Sequence, residues 1–402
     1  MGSPHRTNTV CKACAMACEV IYEDGTSLDG LADTGYEAMG FSCGIIGLPN
    51  VGKSTIFNAL TAAGAPASNY PFCTIDPNIG VVQVPDQRLQ TLDRMLSPPQ
   101  VTPTTLEFRD IAGLVEGAHQ GKGRGNRFLD QIRNVDVLAH VVRCFEDPDV
   151  VHVDGAMDPV RDVEVVEMEL ILADLQALER RLEKTKRAAK SQDKSALDEL
   201  KVLERLEGAL DVGKRASTVP LGHEESAFVQ PLGLLTQKPL FYVANVGEED
   251  LMTPGSRLKA LQRRLQGPSS ELVVICGKVE AEVLDLPEEE RLEYLRAYGL
   301  QRSGLEHLIE VGYRLLELVT FYTVVGRELR AWTVPRGTPA PTAAGKIHSD
   351  MERGFIRADI ISFDQFLAAG SLSAAREAGL IRSEGRDYEI QDGDIATFRF
   401  RV

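Results

Sequence analysis

The chain has 402 residues, 43% of them hydrophobic and 26% charged, with a formal net charge of −15. Length and composition suggest two or three domains with a substantial core, and the charge excludes general attraction to DNA or RNA over the whole surface, so an RNA contact must come from a local basic patch. No apolar run approaches the ~18–20 residues of a membrane helix and no secretory leader is visible, which sets a cytoplasmic expectation with no membrane partner.

Residues 1–38 contain CKACAMAC and a Gly/Asp-rich stretch without a sustained period. They read as a disordered extension, with Met39 as the expected start. Cys11, Cys14 and Cys18 resemble a metal set, but a fourth ligand at suitable spacing is lacking. The seven cysteines are odd in number, and those beyond the extension are dispersed, which fits a reduced compartment better than a disulfide framework.

From residue 41 short apolar runs alternate with polar or helical segments. Strands are expected at Cys43–Ile46, Val81–Val84, Leu106–Ile111, Val137–Arg143, Leu240–Val243 and Leu272–Cys276. This alternation predicts an α/β sheet with helices on both faces. Between 160 and 230, Val163, Val166, Leu170, Leu178 and Leu182, and then Leu197, Leu200, Leu203, Leu206 and Leu210, recur near helical spacing. They predict an inserted antiparallel helical hairpin, whose charges suit either a solvated face or a partner-binding arm. A third unit is expected over 316–400, after a nucleotide domain at 41–315. There VPRGTPAPTAAG reads as loop, and Phe355–Ile361 and Ile395–Val402 read as strands. From 319 onward basic and acidic residues balance, eleven of each, so this unit is the expected RNA-facing part.

The first segment that carries chemistry is GLPNVGKST, Gly47–Thr55, which matches GxxxxGK[ST] after a strand and before a helical run, Thr55–Thr61. Asn50, Val51, Gly52, Lys53, Ser54 and Thr55 are assigned to nucleotide binding. Backbone amides and the helix N-terminus face the phosphates, Lys53 reaches the β/γ-phosphates, and Ser54 ligates Mg²⁺. DIAG, Asp110–Gly113, follows an apolar strand. Asp110 holds the Mg²⁺ water shell and Gly113 offers its N–H to the γ-phosphate. The glycine run Gly117, Gly121, Gly123, Gly125 predicts a segment that orders on γ-phosphate. Upstream, Thr74 in NYPFCTIDPN is a second candidate metal ligand, beside Cys73, which is either inert or a redox handle.

A guanine reader of the NKxD type would follow the strand LFYVA. Here the residues are Asn245, Val246, Gly247 and Glu248. The Asp of NKxD accepts from guanine N1–H and the 2-amino group, whereas adenine has a bare acceptor at N1. The longer Glu248 displaces that carboxylate, at a cost on the scale of a lost bidentate base contact, ~1–3 kcal/mol. Asn245 is expected at the base N7 and the backbone near Val246 at the adenine amino group. The pocket therefore admits ATP and favours it over GTP.

Together GLPNVGKST, NYPFCTIDPN, DIAGLVEGAHQGKGRGNRFL, HVVRCFED, ANVGEED and AAGKIHSDMERGFIRADIISFDQF resemble the YchF branch of the Obg family, the Obg-like ATPases. The resemblance covers about 41 to 402. It implies a Ras-like P-loop domain with a coiled helical insertion and a C-terminal β-rich TGS domain. It also implies ATP hydrolysis in preference to GTP, a cytoplasmic location and ribosome association. The Gln that orients water in Ras-like enzymes is replaced by Leu114, which predicts slow intrinsic hydrolysis. The family instead suggests a catalytic histidine on a mobile loop, matched by His152, with His119 and His140 as rivals. Asn50 resembles the Asn of relatives activated by K⁺. Lys346, His348, Arg353 and Arg357 are candidate phosphate contacts, set against a plain mixed-charge surface. A GTP-specific regulator and a nucleotide-gated scaffold with incidental hydrolysis remain the alternatives.

Overall fold

The computed structural model describes residues 41–63, 78–111, 113, 124–147, 157–190, 193–267 and 270–401. Thr74, Cys73, Leu114, His119, His152 and the three cysteines of residues 1–38 lie outside them. No helix among the described residues is long and apolar enough to cross a membrane.

The chain divides into two compact units. The larger is built on a six-stranded sheet in the order β2-β4-β1-β5-β6-β7. Its strands are β1 (Ser42–Ile46), β2 (Ile79–Gln83), β4 (Thr105–Asp110), β5 (Val137–Arg143), β6 (Leu240–Asn245) and β7 (Leu272–Ile275). β2 runs antiparallel to β4 and the remaining pairings are parallel. β5 and β6 are buried along their whole length, which is why they read as unbroken apolar runs rather than alternating ones. Helices α1 (Lys53–Ala63), α3 (Arg124–Arg133) and α4 (Pro159–Ala189) follow β1, β4 and β5. α7 (Glu248–Met252) and α8 (Ser256–Arg264) lie between β6 and β7, and α9 (Gly277–Asp285), α10 (Glu288–Ala297) and α11 (Gly304–Leu315) follow β7.

The hairpin consists of α4 and α5 (Lys194–Asp211), with the short α6 (His223–Val229) beyond it. Asp158 caps α4 by accepting from the N–H groups of Val160 and Arg161, and Pro159 occupies the first turn, where its missing N–H is harmless. The first half of α4 packs on the sheet core through Val163, Val166 and Leu170. Its second half forms a separate seam, Leu178 and Leu182 against Leu203, Leu206 and Leu210. Each such buried leucine contributes roughly 1.5–3 kcal/mol. Where the two halves meet, the buried Asp174 accepts from Leu235 N, Thr236 N and the Thr236 hydroxyl at 2.7–2.8 Å. This fixes where the arm leaves the sheet.

The smaller unit begins at Leu318 and holds a second six-stranded sheet, in the order β11-β10-β12-β8-β9-β3. Its strands are β3 (Gln100–Thr102), β8 (Leu318–Val325), β9 (Glu328–Pro335), β10 (Phe355–Ser362), β11 (Arg382–Glu384) and β12 (Asp394–Phe400). The sequence reading ran the nucleotide domain unbroken from 41 to 315. The structure instead groups Asp86–Thr104 with this second unit. The segment supplies α2 (Gln87–Leu96) and the edge strand β3, parallel to β9. Leu89 and Leu92 of α2 pack with Tyr322, Leu329 and Ile395. Asp86, the α2 cap, accepts from the Tyr322 hydroxyl at 2.5 Å, and Arg88 pairs with Asp392 at 2.8 Å. VPRGTPAPTAAG, read as loop, ends β9 and then starts α12 (Ala340–Ile347), with its prolines in the cap and first turn, where they are tolerated. α13 (Ser349–Arg353), α14 (Phe363–Ala369) and α15 (Leu372–Glu377) complete the unit.

Candidate functional site

Because β4, β1, β5, β6 and β7 run the same way, their carboxyl ends form one edge of the sheet. The loops that leave that edge define the site, as in open α/β folds generally. It is built from Gly47–Gly52 after β1, Asp110 at the end of β4, Phe145 after β5, Asn245–Glu248 after β6 and Gly277–Lys278 after β7.

In the phosphate loop Asn50 has a positive φ of 62° and Gly52 one of 93°. A Cβ added at Gly52 would lie 2.1 Å from Asn245 Nδ2, so only glycine fits. Lys53 opens α1, is 7% exposed and donates through Nζ to Leu48 O at 2.7 Å. Burial lowers its pKa to about 8, against a smaller raising effect of Asp110. An ammonium folded against its own loop and desolvated there lacks a counter-charge that a triphosphate supplies. Ser54 and Thr55 are exposed on the first turn.

Ser54 Oγ donates to Asp110 Oδ2 at 2.7 Å, while Asp110 Oδ1 is buried with no hydrogen-bond partner. A hydroxyl and a carboxylate in contact, with one carboxylate oxygen unsatisfied, fit Mg²⁺, which takes few protein ligands and completes its shell with water and phosphate oxygens. No group of three or more His, Cys, Asp or Glu side chains with metal-site geometry occurs among the described residues. Gly113 lies against the phosphate loop: a Cβ there would come 3.0 Å from Pro49 N.

At the base end Asn245, Val246 and Glu248 come together at the end of β6. Asn245 is 4% exposed, and its side chain forms a bridge that uses one of its two N–H donors and one oxygen lone pair. Nδ2 donates to Val51 O at 3.0 Å and Oδ1 accepts from Gly277 N at 3.1 Å. It ties the phosphate loop to the β7–α9 turn. Val246 is buried and its N–H donates to Ile275 O at 2.8 Å. Glu248 opens α7, and its Oε1 accepts from Lys278 Nζ at 2.6 Å. Its Oε2 lies 3.4 Å from the Tyr298 hydroxyl. Lys278 holds the Glu248 carboxyl below the usual range, chiefly by that hydrogen bond. Neither Gly277 nor Lys278 was singled out in the sequence. The signal was there, CGK directly after the strand LVVI, but only the fold carries it to Asn245 and Glu248.

Sequence reasoning also passed over Arg143, at the end of β5. It is 1% exposed, lies 4.6 Å over the Phe145 ring and donates to the carbonyls of Phe145 and Asp147. It thereby stiffens a loop whose aromatic ring borders Gly52. His140, a rival candidate for the catalytic histidine, is 1% exposed; burial first, then the charges of Lys53 and Arg215, lower its pKa to about 3. It is neutral and takes no part in the site. Cys43, Cys144 and Cys276 are buried thiols with raised pKa values, as burial dictates. The candidate phosphate contacts of the second unit sit among acids. His348 and Arg353 flank Asp350, and Arg357 and Arg399 both pair with Asp359, at 3.3 and 3.2 Å.

A strand, GLPNVGKS, a helix and an Asp at the neighbouring strand end define a P-loop nucleotide-binding protein of the GTPase class. Residues 42–196 match a family described as 50S ribosome-binding GTPase, and residues 318–401 match the YchF-GTPase C-terminal family, described as a protein of unknown function. The chain belongs to the YchF family. It is 47% identical over 366 residues to the ribosome-binding ATPase YchF of Bacillus subtilis and 48% identical over 364 residues to that of Escherichia coli O157:H7. Each alignment covers 90% of this chain and all of the relative. The structure of the Schizosaccharomyces pombe YchF GTPase superposes with a TM-score of 0.82 at 33% identity, covering 91% of this chain and 100% of that one. The names of these relatives divide between ATPase and GTPase.

Proposed function

We propose that this chain is a Mg²⁺-dependent ATPase that acts as a ribosome-associated regulatory switch in the cytoplasm, with GTP the weaker ligand. The observation that carries the reading is the contrast within one site. The phosphate loop is complete, whereas the acidic residue at the guanine-reading position is Glu248, engaged by Lys278. Bacterial relatives named ribosome-binding ATPases support it.

In this reading Lys53 leaves Leu48 O for the β/γ-phosphates and, with the loop amides, stabilises charge that builds up in the transition state. Ser54 and Asp110 hold the Mg²⁺ site, with Thr74 as a further ligand. Mg²⁺ held there would supply positive charge against the phosphates. Gly113 beside Pro49 senses the γ-phosphate. Leu114 cannot orient water, so turnover is slow alone; His152 supplies that role in the ribosome-stimulated reaction, and K⁺, for which Asn50 is the expected partner, would supply further positive charge. The second unit, a TGS domain, provides part of the ribosomal contact. The exposed tip of the hairpin, with Lys184, Lys186, Lys190 and Lys194, is a local basic patch on an acidic protein.

The test is ATP and GTP turnover with and without ribosomes, in Na⁺ and in K⁺ buffers. ATP turnover stimulated by ribosomes is expected. At least tenfold tighter GTP binding would support the GTP-specific alternative, and ribosome binding indifferent to nucleotide would support the scaffold.

A further inference from the structure

The base end holds a polar arrangement that neither the sequence reading nor the relatives' names assign. A guanine reader presents two carboxylate oxygens to two ring donors, N1–H and the 2-amino group. Here both oxygens of Glu248 face other groups, Oε1 the Lys278 ammonium at 2.6 Å and Oε2 the Tyr298 hydroxyl at 3.4 Å. The ammonium has three donors and spends one on Glu248. Its side chain is 69% exposed, against 37% for Glu248, so it is the outward member of the pair. Its backbone position is locked to the site, because the preceding Gly277 donates to Asn245 Oδ1 and Asn245 Nδ2 donates to Val51 O of the phosphate loop. Tyr298, which donates to Glu248 Oε2, packs its ring edge-on against Tyr294 at 5.5 Å.

We infer that Lys278, held by Glu248, presents a hydrogen-bond donor to the Watson–Crick edge of the purine and so selects adenine, whose N1 is a bare acceptor, over guanine, whose N1 carries a hydrogen. The site has reversed polarity. Where a guanine reader offers an acceptor, this chain offers a donor, and the acid is retained as its holder. Lys278 is then the specificity-determining residue and Glu248 a positioning residue. The inference rests on the ATP reading above and deepens it.

The experiment measures affinities of wild type, Lys278→Met and Lys278→Arg for ATP, GTP and 1-deaza-ATP, the analogue with carbon in place of N1. Wild type is expected to bind 1-deaza-ATP about tenfold more weakly than ATP, the scale of one charge-assisted hydrogen bond. In Lys278→Met that difference disappears and the ATP-over-GTP preference falls by a similar factor; Lys278→Arg, which still donates, restores part of both. GTP, which uses the same phosphate loop, reports that each variant is folded. An ATP to 1-deaza-ATP ratio in Lys278→Met equal to that of wild type overturns the inference and leaves the ATPase reading intact. Wild type that binds neither triphosphate overturns the nucleotide reading itself.

Discussion

The two ends of the nucleotide site obey different rules. The phosphate end is made by a contiguous run, Gly47–Thr55, joined by Asp110. Its working groups are a buried lysine, backbone amides and an orphaned carboxylate oxygen. The base end is assembled from three loops that meet only in the fold, and its charged pair, Glu248–Lys278, stands in solvent. A buried charge without its counter-ion makes an all-or-none contribution to binding. An exposed pair adjusts preference by small factors. The lesson is that this site fixes that a triphosphate binds at one end, and which triphosphate at the other.

Replacing the phosphate-end lysine should separate the two ends most sharply. Lys53→Ala is expected to cost about 10²–10³-fold in turnover with ATP and GTP alike, the range for removing one transition-state donor. Steady-state rates with both nucleotides check this, and a loss confined to one of them would contradict the division. Ser54→Ala should abolish most of the gain in affinity on adding Mg²⁺, about tenfold, seen in titrations with and without chelator.

Asn245→Ala cuts the bridge that joins the ends. It leaves Val51 O and Gly277 N without their partner, so a loss of roughly 1–3 kcal/mol in unfolding free energy is expected, with weaker binding of both nucleotides. Denaturant titration measures the first. A variant as stable as wild type would show that the two ends are independent.

The pH dependence sharpens the phosphate end. Burial lowers the Lys53 pKa from 10.5 to about 8. Above pH 8 the free protein has lost that proton, and a bound triphosphate favours its return. Binding should therefore take up a proton and weaken as pH rises from about 8 toward 10.5. Calorimetry at pH 8.5 in buffers of different ionisation enthalpy reads the uptake directly, and no uptake would refute it. The smallest effect belongs to the base end. Glu248→Gln should leave the melting temperature unmoved, because its carboxylate is solvent-exposed, while lowering the ATP preference several-fold.

Much of this was legible before any coordinates. The six strands of the first sheet follow from apolar runs at nearly the right boundaries, because β1, β5 and β6 are buried on both faces and β2, β4 and β7 alternate buried with half-buried positions. The hairpin follows from leucines at helical spacing. Asp86–Thr104 was not legible as part of the second unit. Its helix pattern shows a face to be buried but not the partner, and the partner strands lie more than 200 residues away. β8 and β9, consecutive strands joined by two residues, were not singled out although LVTFYTVV is a β-branched and aromatic run of the kind strands favour.

By itself, then, the sequence determined the triphosphate grip, because a phosphate loop takes its chemistry from consecutive residues whose backbone amides and lysine point one way whatever the rest of the chain does. The tertiary structure decided the base end. Asn245, Glu248, Lys278 and Tyr298 acquire their meaning only when parallel strands β6 and β7 bring their loops together, and whether a carboxylate is an open acceptor or an occupied one depends on a partner thirty residues away.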